Sequence, residues 1–355
     1  MALDRLDISQ FRNHRSVALQ TRHPFVILHG PNGAGKTNIL EAVSLLVPGR
    51  GLRRAAFQEM ALRGGDGSFA ISAELDGNRI GTAVEAANPN RRIVHINGAT
   101  ASAASLAEWL AVLWVTPAMD RIFVEGATGR RRFLDRLVLA LDPGHAVASA
   151  RYEKGLRQRN RMIAEGQGDN QWFDAVEMQL AEAGSLVAQA RSETVTRLHA
   201  AISAMPDLPF ARPELNLECD TPHDAATLAE CYREFRQRDR AAGRTLVGPH
   251  RADLVAHHAG HGGAAGQCST GEQKAMLLSL IIAHANLVGE LRTAPPVLLL
   301  DEVAAHLDPD RRAALFEALR ATGSQVWMTG TEPELFDSIK ADALRLHVAD
   351  GNIAG

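Results

Sequence analysis

Gly30-Pro31-Asn32-Gly33-Ala34-Gly35-Lys36-Thr37 is the stretch from which the rest of the chain is read. It is a complete phosphate-binding loop, G-x-x-x-x-G-K-[ST], and each fixed residue has a physical task. Gly33 and Gly35 let the backbone curl until successive N–H groups face one anion. Lys36 sets a positive charge against the outer phosphates, and the Thr37 hydroxyl is a hard oxygen ligand for Mg²⁺. The flanks agree. Phe25-Val26-Ile27-Leu28 reads as a buried strand entering the loop. Residues 36–47 read as a helix whose N-terminus adds its positive end to the site.

The chain has 355 residues, enough for a large core and two domains or lobes. Hydrophobic residues make up 46% and charged residues 22%, an ordinary globular balance. A formal net charge of -3 argues neither for nor against nucleic acid, so only local patches can. Cys219, Cys231 and Cys268 are widely spaced without a C-x-x-C. That fits a reducing compartment and offers neither a disulfide framework nor a zinc site. No apolar run approaches about 18 residues, and Met1-Ala2-Leu3-Asp4-Arg5 leads straight into mixed sequence. The expectation is a soluble cytoplasmic protein with no membrane partner.

Outward from the loop, the first third reads as strand-rich. Residues 69–75 and 79–84 flank Asp76-Gly77-Asn78, a hairpin signal, and residues 91–96 end at the turn Asn97-Gly98. Residues 110–115 form a further apolar strand, stopped by Thr116-Pro117. The middle reads as helical over 130–141, 145–164, 172–205 and 228–242, with a polar turn at Gly166-Gln167-Gly168-Asp169-Asn170. The last third alternates again, with helix 271–288, strand 297–300, helix 309–321, and strands 325–329 and 344–348. Repeated β-α-β units predict a largely parallel sheet with covered faces. The order is half an α/β domain (residues 1–120), a helical insertion (121–242), then the other half (243–355). His257-His258-Ala259-Gly260-His261-Gly262-Gly263 reads as an exposed loop, and no nearby carboxylate or cysteine in the sequence completes a metal set.

Val297-Leu298-Leu299-Leu300-Asp301-Glu302 supplies the second half of a nucleotide site. Four apolar residues make a buried strand and place two acids at its C-terminal end, where α/β ligands bind. Asp301 suits Mg²⁺, and Glu302 is placed to orient and deprotonate a water. Ser269-Thr270-Gly271-Glu272-Gln273-Lys274 precedes an amphipathic helix, where a hydroxyl and free N–H groups make an anion site; taken alone it reads better as a simple N-cap. Ala305-His306-Leu307-Asp308 follows the acids, and Thr329-Gly330-Thr331 ends the next strand where a polar side chain can meet a γ-phosphate. The order of all five elements carries the information. A second copy packed head to tail would bring the Ser269 helix N-terminus to the nucleotide held by the first.

At this point the chain resembles the ABC-type ATPase heads of the SMC and Rad50 class, and within it the RecF family of bacterial DNA replication and repair proteins. Leu6-x-Ile8-x-x-Phe11-Arg12-Asn13 is similar to that family's opening. Val115 to Asp120 and Gly129-Arg130-Arg131-Arg132-Phe133-Leu134-Asp135-Arg136 are similar to its arm entry. Tyr152-x-x-x-Leu156-x-Gln158-Arg159-Asn160 and Leu246-Val247-Gly248-Pro249-His250-Arg251 also match. The resemblance implies a P-loop ATPase head with a mixed sheet, interrupted by a mainly helical arm. It implies ATP on Gly30, Pro31, Asn32, Gly33, Ala34, Gly35, Lys36 and Thr37, with Arg12 and Thr331 in reach of the nucleotide. Thr37 and Asp301 would serve Mg²⁺, with Glu302 and Lys36 catalytic. Ser269 and Gly271 would be the signature contact across a dimer, and Asp308 the loop between subunits. It further implies slow, DNA-stimulated hydrolysis, an ATP-dependent homodimer, and RecA loading at gaps with RecO and RecR. The chain departs from the general ABC pattern at Glu272, where Gln is usual, at Thr331, where transporters have His, and in lacking a plain Q-loop glutamine. Ala252 stands where an acid is common in the family.

Residues 121–161 hold ten basic and four acidic residues, the local patch that phosphate neutralisation needs, although without the resemblance they read better as a solvated helical face with internal ion pairs. Arg130, Arg131, Arg132, Lys154, Arg157 and Arg159 are the candidate DNA contacts. Few aromatics accompany them, which favours backbone contacts to duplex DNA over a stacking platform; single-strand/duplex junctions as the target are what the resemblance implies. Three other classes compete. An ATPase subunit coupled to a protein or membrane partner needs a coupling surface in place of the arm. A long tether needs arms of hundreds of residues. A small-molecule kinase has no use for Ser269.

Overall fold

The computed structural model describes residues 2–166, 169–339 and 342–354, so Gln167 and Gly168 of the expected polar turn lie outside the described residues. The chain opens with strands β1 (Arg5–Phe11), β2 (His14–Gln20) and β3 (Phe25–His29), then helix α1 (Lys36–Ser44). Strands β4 (Phe69–Leu75), β5 (Asn78–Val84), β6 (Arg92–Ile96) and β7 (Ala99–Ala101) follow, then the short α2 (Leu106–Trp109) and β8 (Val112–Val115). Helices α3 (Ala127–Leu141), α4 (His145–Glu165) and α5 (Asn170–Ala204) lead to β9 (Pro213–Glu218), α6 (Ala225–Ala242) and β10 (Asp253–His258). The chain closes with α7 (Thr270–Leu291), β11 (Val297–Leu300), α8 (Pro309–Ala321), β12 (Gln325–Gly330), β13 (Ala343–Ala349) and β14 (Asn352–Ala354).

Two compact units emerge. One holds Met1–Asp120, Pro206–Phe210 and Ile281–Gly355, the other Arg121–Met205 and Ala211–Leu280. The first division falls between Asp120 and Arg121. The second does not fall at 242/243: residues 243–280, read from sequence as head, pack with the helical unit. The reason is the β9–β10 ladder, which pairs Asp253 with Glu218 and Leu254 with Leu217.

The first unit contains two six-stranded sheets. The antiparallel one runs β2-β1-β4-β5-β6-β7. In its β4–β5 hairpin, Asp76 and Gly77 both take left-handed conformations (φ 48° and 77°), the two-residue turn that matches strand twist. The other sheet runs β14-β13-β3-β12-β11-β8; five strands are parallel and β14 is an antiparallel edge. All four residues of β11 are buried, the continuous apolar run of a strand covered on both faces. One core cluster draws Leu6, Ile8 and Phe11 from β1, Val26 and Leu28 from β3, Ile39, Leu40 and Val43 from α1, and Leu299 and Trp327 from the parallel sheet. Helix α1 stops at Ser44, three residues before the expected end, and Arg92 of β6 takes carbonyls of the segment that follows it. Its guanidinium donates to Leu45 O, to Val47 O at 3.2 Å and to Gly49 O at 3.0 Å. Burial drives that guanidinium down to about 10.

The second unit is mainly helical. Tyr152 of α4, Leu180 and Val187 of α5, and Leu228 and Tyr232 of α6 form its central cluster. His257 and His258 are strand residues in β10, not the loop expected from sequence. Helix α7 begins in this unit and continues into the other. It is the one described helix long and apolar enough to cross a membrane by composition, yet 72% of that window is buried, as in a core helix.

Candidate active site

The phosphate-binding loop lies between the C-terminal end of β3 and the N-terminus of α1. Two of its glycines are required by space as well as backbone. A side chain on Gly30 (φ 143°) would start 2.2 Å from Val348 O, and one on Gly35 (φ 113°) would start 2.6 Å from Asn13. The Lys36 ammonium donates to Gly30 O at 2.6 Å and Pro31 O at 2.9 Å. Burial pushes it below the ordinary lysine range, against the pull of Glu302 and Asp301. The hairpin after β1 braces the loop from outside. Asn13 Nδ2 donates to Ala34 O at 2.9 Å, and the fully buried His14 ring lies 3.0 Å from Gly35 O and 2.8 Å from Gly351 O.

The two acids end β11 beside this loop. Asp301 Oδ1 accepts from the Thr37 hydroxyl at 2.8 Å and from the Thr329 hydroxyl at 2.8 Å. Thr329 in turn accepts the Glu302 N–H at 2.9 Å. Glu302 sits at φ 54°, a left-handed conformation that costs a non-glycine residue about 1–3 kcal/mol and is typical of functional turns. One hydrogen-bonded chain therefore runs Thr37–Asp301–Thr329–Glu302, joining loop, acids and the next strand. Sequence reading placed Thr329-Gly330-Thr331 at that strand's polar end, and the resemblance put Thr331 in reach of the nucleotide. Here β12 ends at Gly330, Thr331 is exposed, and the buried Thr329 touches the acids. The signal was available: parallel pairing sets Leu300 beside Met328, so Thr329 lies level with Asp301.

The remaining candidates are placed as follows. Ser269 and Glu272 form a reciprocal cap at the start of α7: Ser269 N and Oγ donate to Glu272 Oε2 at 2.9 and 2.8 Å, and Glu272 N donates to Ser269 Oγ at 3.3 Å. Gly271 is exposed in the same turn. Asp308 caps α8, accepting the Arg311 N–H at 2.9 Å. Arg12 is engaged with the fully buried Glu41 at 2.8 and 2.7 Å and with Glu59 O at 2.8 Å, and Arg53 reaches the same carboxylate at 3.1 Å. Arg12 thus serves as the counter-ion of an α1 carboxylate.

In the helical unit the basic candidates separate. Arg159 is fully buried, which corrects its reading as a DNA contact. It bonds Glu177 at 3.0 Å, Asp239 at 2.6 Å, Thr245 Oγ1 at 2.8 Å and Tyr232 O at 2.9 Å, tying α4 to α5 and α6. Arg130 pairs with Asp253 at 2.6 and 2.7 Å, and Arg131 donates to Ala252 O at 2.9 Å, so both anchor α3 to β10. Arg132, Lys154 and Arg157 are exposed, Arg157 lying 3.5 Å from the equally exposed Glu153.

A P-loop at the end of a parallel strand, two acids at the end of a strand one further along the same sheet, and a capped Ser-x-Gly helix start in a mainly helical unit define an ABC-type ATPase head of the RecF/RecN/SMC class. Residues 2–350 match the family model for the RecF/RecN/SMC N terminal domain. The chain is 48% identical to the DNA replication and repair protein RecF of Mesorhizobium japonicum, covering 99% of this chain and 97% of that one. It is 45% identical to the protein of the same name from Brucella suis biovar 1, covering 100% and 96%. The solved structure of the recombination mediator protein RecF with ATPrS in the RecFOR pathway superposes with a TM-score of 0.84 at 22% identity, covering 99% of this chain and 97% of that one. The chain belongs to the RecF family.

Proposed function

We propose that this protein is an ATP-switched clamp on duplex DNA, acting in replication and recombinational repair in the cytoplasm. Two copies close over two ATP molecules, each nucleotide held by the phosphate loop of one and by Ser269 and Gly271 of the other. ATP then stabilises the dimer because it binds both partners at once. Slow, DNA-stimulated hydrolysis releases it. Its place would be the single-strand/duplex junctions of gaps, where RecA is loaded with RecO and RecR.

The hydrogen-bonded chain Thr37–Asp301–Thr329–Glu302 carries the reading. A hydroxyl and a carboxylate oxygen 2.8 Å apart are the hard donors Mg²⁺ takes, so Thr37 and Asp301 fit that ion. Bound there, Mg²⁺ neutralises charge on the phosphates. The chain's own residues do the rest. Lys36 leaves the Gly30 and Pro31 carbonyls for the outer phosphates, and the loop N–H groups hold them. Thr329 fixes the Glu302 backbone, and the Glu302 carboxylate orients the attacking water and takes its proton. Asp308 would shape the loop facing the partner copy, with Thr331 near the γ-phosphate. Arg132, Lys154 and Arg157 would meet DNA phosphates.

Dimerisation under ATP-Mg²⁺, measured by light scattering, tests this. Lys36→Ala stays monomeric, and Glu302→Gln accumulates as a dimer. Equal dimerisation of the two variants would sink the mechanism. Salt-sensitive duplex binding by Glu302→Gln only with ATP supports the clamp; no DNA binding in either condition assigns the head to a protein partner instead.

A further inference from the structure

Beside the Ser269 cap lies a cluster the nucleotide chemistry does not use. We infer that His258, His261 and Glu272 capture a zinc-class divalent metal ion. Their ligand atoms all lie within 4.8 Å of one another. Two imidazoles and one carboxylate are the donor set that borderline transition metals prefer over Mg²⁺ or Ca²⁺. The sequence shows only the histidines as a group; folding supplies the missing carboxylate from the first turn of α7.

The backbone builds this proximity. His258 ends β10, and the turn after it is closed by His258 N–H to Gly263 O at 2.8 Å and Gly262 N–H to His258 O at 2.8 Å. That closure stacks the two rings, centroids 4.0 Å apart and planes 10° from parallel. Glu272 completes the set from the other side. Its Oε2 is committed to Ser269, while its Oε1 faces His261 Nε2 at 3.9 Å.

The site is one of capture rather than a preformed cage. Parallel rings direct their lone pairs side by side, so an ion that takes both requires one ring to turn. His261 is the ring that turns, being exposed between Gly260 and Gly262. Each Nδ1 accepts a backbone N–H, from Gly260 at 3.0 Å and from Gly263 at 3.2 Å, which leaves the proton of the neutral ring on Nε2. Capture through Nε2 therefore shifts that proton to Nδ1 and hands two loop N–H groups to water. The ion gains Oε1 and fixes the Glu272 carboxylate in place. Ser269, bound through its hydroxyl to the same carboxylate, is then held in its cap and withheld from a nucleotide. The occupied site opposes ATP-driven dimerisation. This second step rests on the reading of Ser269 as the contact across the dimer; the metal site itself does not.

Cobalt(II) titration of the full-length protein, without nucleotide and with excess Mg²⁺, tests the site by its visible absorption. The wild-type chain gives a band that stoichiometric zinc(II) bleaches. His258→Ala and His261→Ala each weaken binding about tenfold or more, since loss of a ligand costs at least what loss of a ligand's support does. Absence of a band, or unchanged affinity in both variants, overturns the site. Dimerisation under ATP-Mg²⁺ with zinc or with chelator tests the coupling: zinc lowers the dimer in the wild type and leaves His261→Ala unaffected. Zinc bound through the histidines with no effect on the dimer removes the coupling and keeps the site. Failure of ATP to dimerise the chelated wild type counts against the clamp alone, because the cobalt titration has already decided the site.

Discussion

Thr329 is a small residue on which the acids' geometry depends. Its hydroxyl donates to Asp301 and accepts from the Glu302 backbone, so one oxygen sets both the Asp301 carboxylate and the left-handed turn at Glu302. Thr329→Val keeps the shape and removes the hydroxyl. A hydrogen bond to a charged group contributes about 1.5–3 kcal/mol, so kcat for ATP hydrolysis should fall about tenfold to hundredfold while nucleotide affinity moves little. Steady-state hydrolysis beside equilibrium nucleotide binding separates the two, and Thr329→Ser should restore most of the rate. Equal losses in affinity and rate would instead make Thr329 part of the binding surface. The β1–β2 hairpin supports the loop in a comparable way. The His14 ring spans Gly35 O and Gly351 O, a role that no motif in the sequence announces, since a histidine opening a strand carries no positional signal.

Helix α4 shows how residues two apart in sequence take opposite fates. Residues i and i+2 do not share a helix face, so Arg157 faces water while Arg159 turns inward. Removing one partner of a buried ion pair costs about 3–5 kcal/mol, so Arg159→Met should lower the thermal midpoint sharply, whereas Arg157→Ala should stay within about 0.5 kcal/mol of the wild type. Calorimetry of both variants checks the contrast; a stable Arg159→Met would return that residue to the surface. The sequence held the signal, because His145, Tyr152 and Arg159 fall every seven residues on the buried stripe of α4. Basic composition masked it. Strand β11 and helix α8 were legible to the residue because a buried apolar run and an Asp-Pro start each have sharp ends. The β9–β10 ladder was not, since Pro213, Asn216 and the β10 histidines dilute the alternation and the partners lie far apart in sequence. Helix α3 carries a half-buried carboxylate, Asp135, held by His145 of α4 and Arg191 of α5. Burial alone would raise Asp135, but the His145 hydrogen bond and the Arg191 guanidinium overcome it and hold the carboxyl at about 2. A folded-state value below the unfolded one stabilises above the ordinary carboxylate range and is lost as pH falls through the folded value. Stability of the helical unit should therefore decline between about pH 4 and pH 2, and Asp135→Asn, less stable at neutral pH, should flatten that decline in acid titrations followed by circular dichroism.

For the whole molecule the telling quantity is the distribution of charge. A net charge of -3 gives no general attraction to DNA, so any binding would come from exposed cations not committed to holding the helices together. The ten basic residues between 121 and 161 overstate that supply. Arg159 is committed to Glu177 and Asp239, Arg130 to Asp253, and Arg131 to a backbone carbonyl. Arg132, Lys154 and Arg157 remain exposed among the named candidates. Each phosphate neutralised on duplex DNA adds about 0.9 to the slope of log affinity against log salt. Replacing all three by alanine should therefore reduce that slope by about 2.7 if every one of them meets a phosphate. The comparison belongs on the Glu302→Gln background with ATP-Mg²⁺, so that variant and parent are both held as dimers. Lower affinity with an unchanged slope would place the phosphate contacts elsewhere in the head. Loss of slope in proportion to the number of residues removed would fix the footprint on the exposed face of α4 and the start of α3, the face left free by the ion pairs that hold the helices together.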